Sequence, residues 1–313
     1  LRYETLISLT RALKGAGKSS TDLMIKDFLK IAKSGLTDKM LLIRVASAEV
    51  IHIAVYTCTS QPPPMKADEY DALLNFTTKA LEGANYSVRR AVASLFGTIV
   101  GLSQRPPLTP KGSPKRAAKA GAADSSAGNP GDVGASDVNI LTVDEILAIL
   151  SSLFAKATSN DAKVGIAEAF AATFKQLGIT FVESHYPAVS KTIIDLAANP
   201  KLTSTKQDSI LMRNLCGFLL RDVVGKMLSE AGQIAALKEL GTGWLRKWPA
   251  VMANDVAPPD LALICVLHEV AALLVDLGPA ASVEQDTIVE PLVILMGHTS
   301  RSVNLALSWC LMC

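Results

Sequence analysis

The sequence predicts an all-α fold, a HEAT/armadillo-like α-solenoid of stacked helix pairs, from three observations. Apolar residues recur with a period of 3.6 along most of the chain, and no convincing run alternates with a period of two. The composition is 49% hydrophobic but only 5% aromatic, which indicates a large helical core built from Leu, Ile, Val and Ala. A short motif recurs at about 45 residues, which is the period of helix-pair HEAT and armadillo arrays.

The repeated motif is clearest at residues 87–94, with the sequence SVRRAVAS. A variant at 42–49, LIRVASAE, lies 45 positions earlier, and related segments follow at 161–168 and 301–307. In each copy small residues follow a long polar one at helical spacing, which lets a neighbouring helix approach closely. The motif assigns structural roles to Arg44, Ala48, Arg89, Ala91, Lys163, Ala167, Val303 and Ala306.

Thirteen helices are predicted, which make about six helix pairs plus an unpaired first helix. Glycines and prolines mark their ends, and Asn85 is placed to cap the helix that begins at Tyr86. The first helix lacks a partner, and the helical pattern of apolar residues continues up to Cys313. We therefore expect both ends to continue in a longer protein. The predicted helices are 3–14, 19–34, 39–59, 66–82, 85–104, 142–158, 160–177, 179–198, 204–229, 231–252, 259–277, 283–297 and 300–313.

The composition divides the chain into HEAT repeats at 1–104, a low-complexity linker at 105–140 and further repeats at 141–313. The linker is rich in Pro, Gly, Ala and Ser and contains too few large apolar residues to offset its ordering entropy, so we expect disorder. Without its 35 residues from Arg105 to Asn139, the interval from Val88 to Val303 falls from 215 to 180, which is four periods of 45. We therefore expect the flanking helices to stack directly.

Thr109-Pro110 and Ser113-Pro114 in this linker resemble proline-directed phosphorylation sites beside basic residues. Phosphate at Thr109 or Ser113 would offset the local positive charge. The alternative is an inert, solvated loop.

Charge, cysteine usage and hydropathy favour a cytosolic protein that neither binds nucleic acid nor spans a membrane. The formal net charge is +2, which is too balanced for a nucleic-acid-binding face. The five cysteines lie in apolar helical patterns and are interpreted as reduced, buried thiols. The most apolar run, 261–277, contains Glu269 and is predicted to be a central helix of the array, not a membrane span.

The sequence contains no convincing catalytic, cofactor or metal site, so we predict a protein without enzymatic activity. Residues 12–19 fit a relaxed phosphate-binding loop, but an amphipathic helix precedes them where such loops follow a buried strand. An interhelical turn is the favoured alternative. Cys310 and Cys313 form a single Cys-x-x-Cys pair without a second pair to complete a zinc site.

Two groups of residues could contact a protein partner. Trp244 and Trp248 lie one helical turn apart and could form a peptide-binding ridge, although packing between repeats is the favoured alternative. Arg44 and Arg89 occupy equivalent repeat positions and could face acidic peptides. The favoured alternative is that they cap neighbouring helix ends or pair with carboxylates such as Asp38 and Glu49.

Residues 38–101 resemble an early segment of the HEAT-repeat-containing protein 5 family, including its fungal Laa-type members. The matching stretches are LLIRVASAE at 41–49 and GANYSVRRAVASLFGT at 83–98. The resemblance implies a very large, non-enzymatic cytosolic protein that works with the clathrin adaptor on trans-Golgi network and endosomal membranes. Its implied partners are adaptor accessory proteins, other parts of its own chain or a second copy. The alternative is another HEAT scaffold, such as a nuclear-transport receptor or a kinase or phosphatase regulatory subunit.

Overall fold

The structure is a computed structural model that describes residues 1–17, 22–57, 67–103, 141–250 and 256–313. Within these ranges every regular element is a helix and none is a strand, which confirms the predicted all-α class. The α-helices are α1 (Arg2–Ala16), α2 (Asp22–Gly35), α3 (Leu41–Thr57), α4 (Ala67–Ala80), α5 (Tyr86–Ser103), α6 (Val143–Lys156), α7 (Asn160–Leu177), α8 (Ile179–Ser184), α9 (Tyr186–Ala198), α10 (Lys206–Gly217), α11 (Glu230–Gly243), α12 (Asp260–Leu277), α13 (Gln285–Leu295) and α14 (Arg301–Met312).

Side-chain caps explain where several helices begin. In each case a side-chain oxygen accepts a hydrogen bond from the backbone N–H three residues later, at 3.0 to 3.2 Å. The capping residues are Asn85 for α5, Thr142 for α6, Ser159 for α7, Thr205 for α10 and Ser229 for α11. The role expected of Asn85 is thereby confirmed.

Consecutive helices pack as pairs, and each pair contacts the next. α2 packs on α3, α4 on α5, α6 on α7, α9 on α10, α11 on α12 and α13 on α14. The second helix of each pair also packs against its counterparts in adjacent pairs, so that successive contacts join α1, α3, α5, α7, α10, α12 and α14. Helix pairing is therefore local in sequence along the described chain.

The predicted linker at 105–140, with Thr109 and Ser113, lies outside the described residues. The helices that precede and follow it do pack together, because α5 lies directly against α7. A Cβ atom added at Gly97 of α5 would lie only 2.5 Å from the carbonyl carbon of Ala172 in α7. Glycine is therefore required at position 97 for this close backbone approach.

One apolar cluster runs through both blocks of helices and includes three phenylalanines whose rings meet in tilted and edge-on arrangements. The Phe170 ring lies 5.7 Å from that of Phe154 and 5.8 Å from that of Phe174. Among the described residues one stretch, Asp260–Leu295, is long and apolar enough to cross a membrane by length and composition alone, and 61% of its apolar window is buried inside the structure. The α12 part of that stretch forms part of the core, as expected for 261–277.

Three predicted boundaries were wrong. The helix predicted at 179–198 is divided into α8 and α9 at His185, because Pro187 in the first turn of α9 lacks the N–H that would continue the ladder. The segment predicted at 204–229 begins as α10 but widens into a π-helix at Phe218–Val224 and ends in a 3-10 turn. The segment predicted at 231–252 leaves the α-helix at Gly243 and continues as a 3-10 turn, Leu245–Lys247.

Candidate functional site

Arg44 of α3 connects its own helix to the end of the neighbouring α4. Its Nε atom donates to the backbone oxygen of Asp38 at 2.6 Å, and Nη1 donates to the backbone oxygens of Ala80 and Glu82 at 3.3 and 2.8 Å. The Ala80 and Glu82 carbonyls lie at the C-terminal end of α4, where carbonyls lack intrahelical donors, and Asp38 lies just before α3 begins. Arg44 therefore holds two helix ends together, as the capping alternative predicted.

Arg89 and Lys163 repeat this linkage further along the chain. Arg89 Nη1 donates to the backbone oxygen of Ala84 at 3.2 Å and pairs with Asp161 Oδ1 in the first turn of α7 at 3.1 Å. Lys163 Nζ pairs with Asp208 Oδ1 in the first turn of α10 at 2.9 Å. In both ion pairs the carboxylate lies in the next helix of the series α5, α7 and α10. The equivalent cations thus join successive helices, whereas Glu49, suggested as a further carboxylate, pairs with no described cation.

Most of the small residues of the motif are buried among the helices. Arg89 also packs against Gly165, where an added Cβ would lie 3.4 Å from the Arg89 Cδ atom. Ala91 is half-buried on the surface of α5. The buried small or apolar motif residues are Ala48, Ala167, Val303 and Ala306.

A groove of about 520 Å³ lies across α3 and α5, with Lys14 of α1 at its edge. Its apolar lining includes Ala48 and Ile53 of α3 and Ala91 of α5. Two of these are motif alanines, so the small side chains that let α3 and α5 approach also leave the groove open. We call this the α3–α5 groove.

The polar lining of the α3–α5 groove has an excess of positive charge. Lys14 and Arg90 contribute two exposed cations, and Glu49 contributes one exposed carboxylate. Tyr86 is 61% exposed at the groove although it is aromatic. An apolar lining with an exposed aromatic side chain and net positive charge suits an extended peptide segment with acidic residues.

His52 is held in one tautomer at the α3–α5 groove. The Thr98 hydroxyl donates its single proton to the Ser94 backbone oxygen at 2.9 Å, so it accepts from His52 Nδ1–H at 3.2 Å. Burial lowers the pKa of His52 and the Glu49 charge opposes this shift, so the imidazole is neutral at pH 7. The ring stacks on Tyr56 with 6.2 Å between centroids. Nε2 is thus the ring nitrogen that acts as an acceptor.

The two tryptophans considered as a ridge mainly contribute to packing. Trp244 is only 7% exposed, with the Lys247 ammonium 5.1 Å from its ring centroid. Trp248 is half-buried and lies 4.8 Å from the His298 ring. This burial favours the packing alternative over an exposed ridge.

The remaining motifs are placed as follows. Residues 12–16 continue α1 as a helix, Gly17 follows, and Lys18 and Ser19 lie outside the described residues. Cys313 is exposed, whereas Cys310 is buried and its pKa is raised to about 12, chiefly by burial and also by the neighbouring Cys313. In the described part of the chain no group of three or more His, Cys, Asp and Glu side chains could hold a metal ion.

The fold and the groove define the class, an all-helical protein of consecutive helix pairs with a peptide-sized groove. No protein-family model matches the chain. The resemblance of residues 38–101 to the HEAT-repeat-containing protein 5 family therefore stays a prediction. Sequence reasoning missed the groove as a whole, because Lys14, His52 and Tyr86 come from three helices and no spacing relates them, whereas Arg90 lies inside the repeated motif.

Proposed function

We propose that the chain is a HEAT-type α-solenoid that serves as a non-enzymatic scaffold for protein partners. The repeated packing of consecutive helix pairs and the period of 45 residues support this architecture. In such an array one helix of each pair lines a continuous surface, on which an extended partner can contact several repeats. The α3–α5 groove lies on helices of this kind.

One observation carries the proposal: the chain uses one set of cations for stacking and leaves another set at the groove. Arg44, Arg89 and Lys163 are occupied by helix-end carbonyls and carboxylates. Lys14 and Arg90 line the groove and make no ion pair with another described residue. A partner with acidic residues would find its counter-charges there.

We further propose that the partners belong to clathrin-adaptor-dependent trafficking between the trans-Golgi network and endosomes. The resemblance of residues 38–101 supports this assignment, and those residues include both helices that line most of the α3–α5 groove. The proposed partners are adaptor accessory proteins, other parts of the same chain or a second copy. The protein would then be cytoplasmic and peripheral to these membranes, reaching them through the adaptor.

Affinity purification of the full-length protein with crosslinking mass spectrometry tests the proposal. We expect adaptor accessory proteins among the recovered partners, with crosslinks to Lys14 at the groove edge. Lys238, exposed on α11 away from the groove, is the internal reference and should crosslink less to the same partners. Arg90→Glu reverses an exposed charge at the groove and should lower partner recovery by about tenfold, which corresponds to about 1.4 kcal/mol.

Arg301→Glu is the matched control, because Arg301 is an exposed residue on α14 and does not line the groove. The trafficking assignment is rejected if neither adaptor accessory proteins nor segments of the same protein are recovered. Recovery of a small GTPase, or of a kinase or phosphatase catalytic subunit, would support the alternative HEAT scaffolds. Equal partner recovery by Arg90→Glu and Arg301→Glu would reject the α3–α5 groove as the binding surface.

A further inference from the structure

A second cavity, of about 300 Å³, lies where α12 faces α10 and the π-helix that continues it. Arg213, Asn214 and Arg221 line one side of it, and His268 and Glu269 line the other. We call it the Arg213–Glu269 cavity. It is separate from the α3–α5 groove in both residues and helices.

The π-helix and a glycine create the space in which the Arg221 side chain lies. The widened Phe218–Val224 segment carries Arg221, and π-helical turns occur frequently at functional sites. A Cβ atom at Gly217 would lie 2.9 Å from Arg221 Nη2. The guanidinium therefore lies over Gly217, where a larger residue would displace it.

The two arginines of the cavity lack the partners that the stacking cations have. Arg213 is exposed and Arg221 is half-buried, and neither makes an ion pair or a side-chain hydrogen bond with another described residue. The acidic neighbour of Arg221 in sequence, Asp222, pairs with Lys226 at 3.2 Å. Two guanidinium groups beside one cavity are suited to binding a carboxylate, because each presents a planar pair of donors.

Glu269 is buried in this cavity and makes no ion pair with another described residue. It is 2% exposed, and its Oε2 atom has no hydrogen-bond partner in the described part of the chain. Burial raises the pKa of Glu269 to about 8, Arg221 opposes the shift, and Asp276 and Asp222 add to it. Glu269 is thus mainly protonated at pH 7, and its carboxylic acid can donate a hydrogen bond to an incoming anion.

Two other titratable groups near the cavity are uncharged at pH 7. Burial and the charges of Arg221 and Arg213 lower the pKa of His268, so its imidazole is uncharged at pH 7. Tyr186 of α9 is buried nearby, and burial with the charges of Glu269 and Glu239 raises its pKa well above its usual value. The cavity at pH 7 therefore presents two cations, an amide and a neutral carboxylic acid.

We propose that the Arg213–Glu269 cavity binds an acidic side chain, Glu or Asp, of a partner peptide. The ligand carboxylate would accept hydrogen bonds from Arg221 and Arg213, with the Asn214 amide and the acid proton of Glu269 as further donors. This inference rests on the proposed function as a protein scaffold, and it adds a second binding point more than a hundred residues from the α3–α5 groove. Acidic partner residues would then be bound at two places along the same chain.

Fluorescence anisotropy with a labelled peptide tests the inference on the purified full-length protein. The probe carries consecutive glutamates between Gly-Ser flanks, and the control peptide carries glutamines in their place. We expect binding of the glutamate peptide alone, weakened about 10- to 100-fold by Arg221→Gln and by Arg213→Gln. Arg301→Gln removes an exposed arginine outside the cavity and should leave the affinity unchanged.

The pH dependence gives a readout that a merely structural role would not produce. Peptide affinity should fall several-fold as pH rises from 7 to 9, because Glu269 ionises, pairs with Arg221 and repels the ligand. Glu269→Gln remains neutral and should retain its affinity over this range. The charged or titratable groups around Glu269 and its neighbour Tyr186 are Arg213, Arg221, Asp222, His268, Asp276, Cys265 and Glu239.

Three results would overturn the inference. They are equal affinity for the glutamate and glutamine peptides, unchanged affinity in both arginine variants, and the same decline with pH in Glu269→Gln as in the parent. Circular dichroism of each variant establishes that it is folded, and exposed Arg213 provides a substitution with little effect on packing. If the peptide assay fails but affinity purification still recovers the partners, only the Arg213–Glu269 cavity is rejected as a binding site. If the peptide binds but no adaptor proteins are recovered, only the trafficking assignment is rejected.

Discussion

Gly97→Ala tests the direct packing of α5 on α7, the contact that joins the helices on either side of the predicted linker. A Cβ at position 97 would lie 2.5 Å from the Ala172 carbonyl carbon, 2.7 Å from its oxygen and 2.8 Å from its Cβ. Two of these atoms belong to the backbone, which cannot rotate away as a side chain can. One helix must therefore move, and overpacking of this kind costs roughly 1 to 3 kcal/mol.

A smaller, opposite effect accompanies the substitution. Alanine is favoured over glycine in a helix by roughly 0.5 to 1 kcal/mol. The net change in the free energy of unfolding should therefore be a loss of up to about 2.5 kcal/mol. Urea unfolding followed by helical circular dichroism measures this change, with hydrogen exchange of the α5 and α7 amides to localise it.

Gly15→Ala is the matched control, because Gly15 is also helical but has nothing within 4 Å of an added Cβ. It should leave stability unchanged or raise it by up to about 1 kcal/mol. If Gly97→Ala proved as stable as Gly15→Ala, with unchanged exchange in α5 and α7, the inferred backbone contact would be wrong.

Three further predictions concern the buried and stacking charges. Arg89→Ala should lower the free energy of unfolding by about 1 to 2 kcal/mol, whereas Arg90→Ala, exposed at the groove, should change it by less than about 0.5 kcal/mol. Equal urea midpoints for the two variants would refute the conclusion that Arg89 stabilises the stack and Arg90 does not. The Thr205 hydroxyl and then Lys163 lower the pKa of Asp208, so its contribution to stability is present above its ordinary value of 3.8 and is lost as pH falls below it. Urea titrations from pH 7 to 3 should therefore show a weaker acid loss in Asp208→Asn, and an identical loss would remove this assignment. The pKa of Glu269 is instead raised, so the folded protein keeps the proton that the unfolded chain loses, and stability falls from about pH 4.5 to about 8. Relative to the parent, Glu269→Gln should therefore gain more stability at pH 8 than at pH 5. A gain independent of pH would contradict the buried, protonated state.

The predicted helices agreed best with the structure where the determining interactions are local. Asn85 was expected to cap α5, and its side chain does accept from the Val88 N–H. The predictions failed where a local irregularity interrupts an apolar period, as at the α8–α9 break and in the π-helix of Phe218–Val224. A widened turn keeps the same hydrophobic residues facing inward, so the period alone does not reveal it.

The candidate sites were less predictable than the helices. The motif located Arg44 and Arg89 but did not show whether they join helices or bind a partner. The carbonyls at the end of α4 and the carboxylate that they contact lie more than thirty residues away in the sequence. The α3–α5 groove combines Lys14, His52 and Arg90 from three separate helices. No spacing rule relates such residues, because their proximity follows from helix packing.

Sequence by itself determined the all-helical class, the repeat period, most helix limits and the small residues at the helix contacts. These properties follow from 3.6-residue periodicity and from side chains that bond within a few residues of their own position. Only the tertiary structure decided which charges are neutralised. Glu269 interrupts an apolar run in the sequence, but packing of α12 against the π-helix buries it beside Arg221, and that burial determines its protonation.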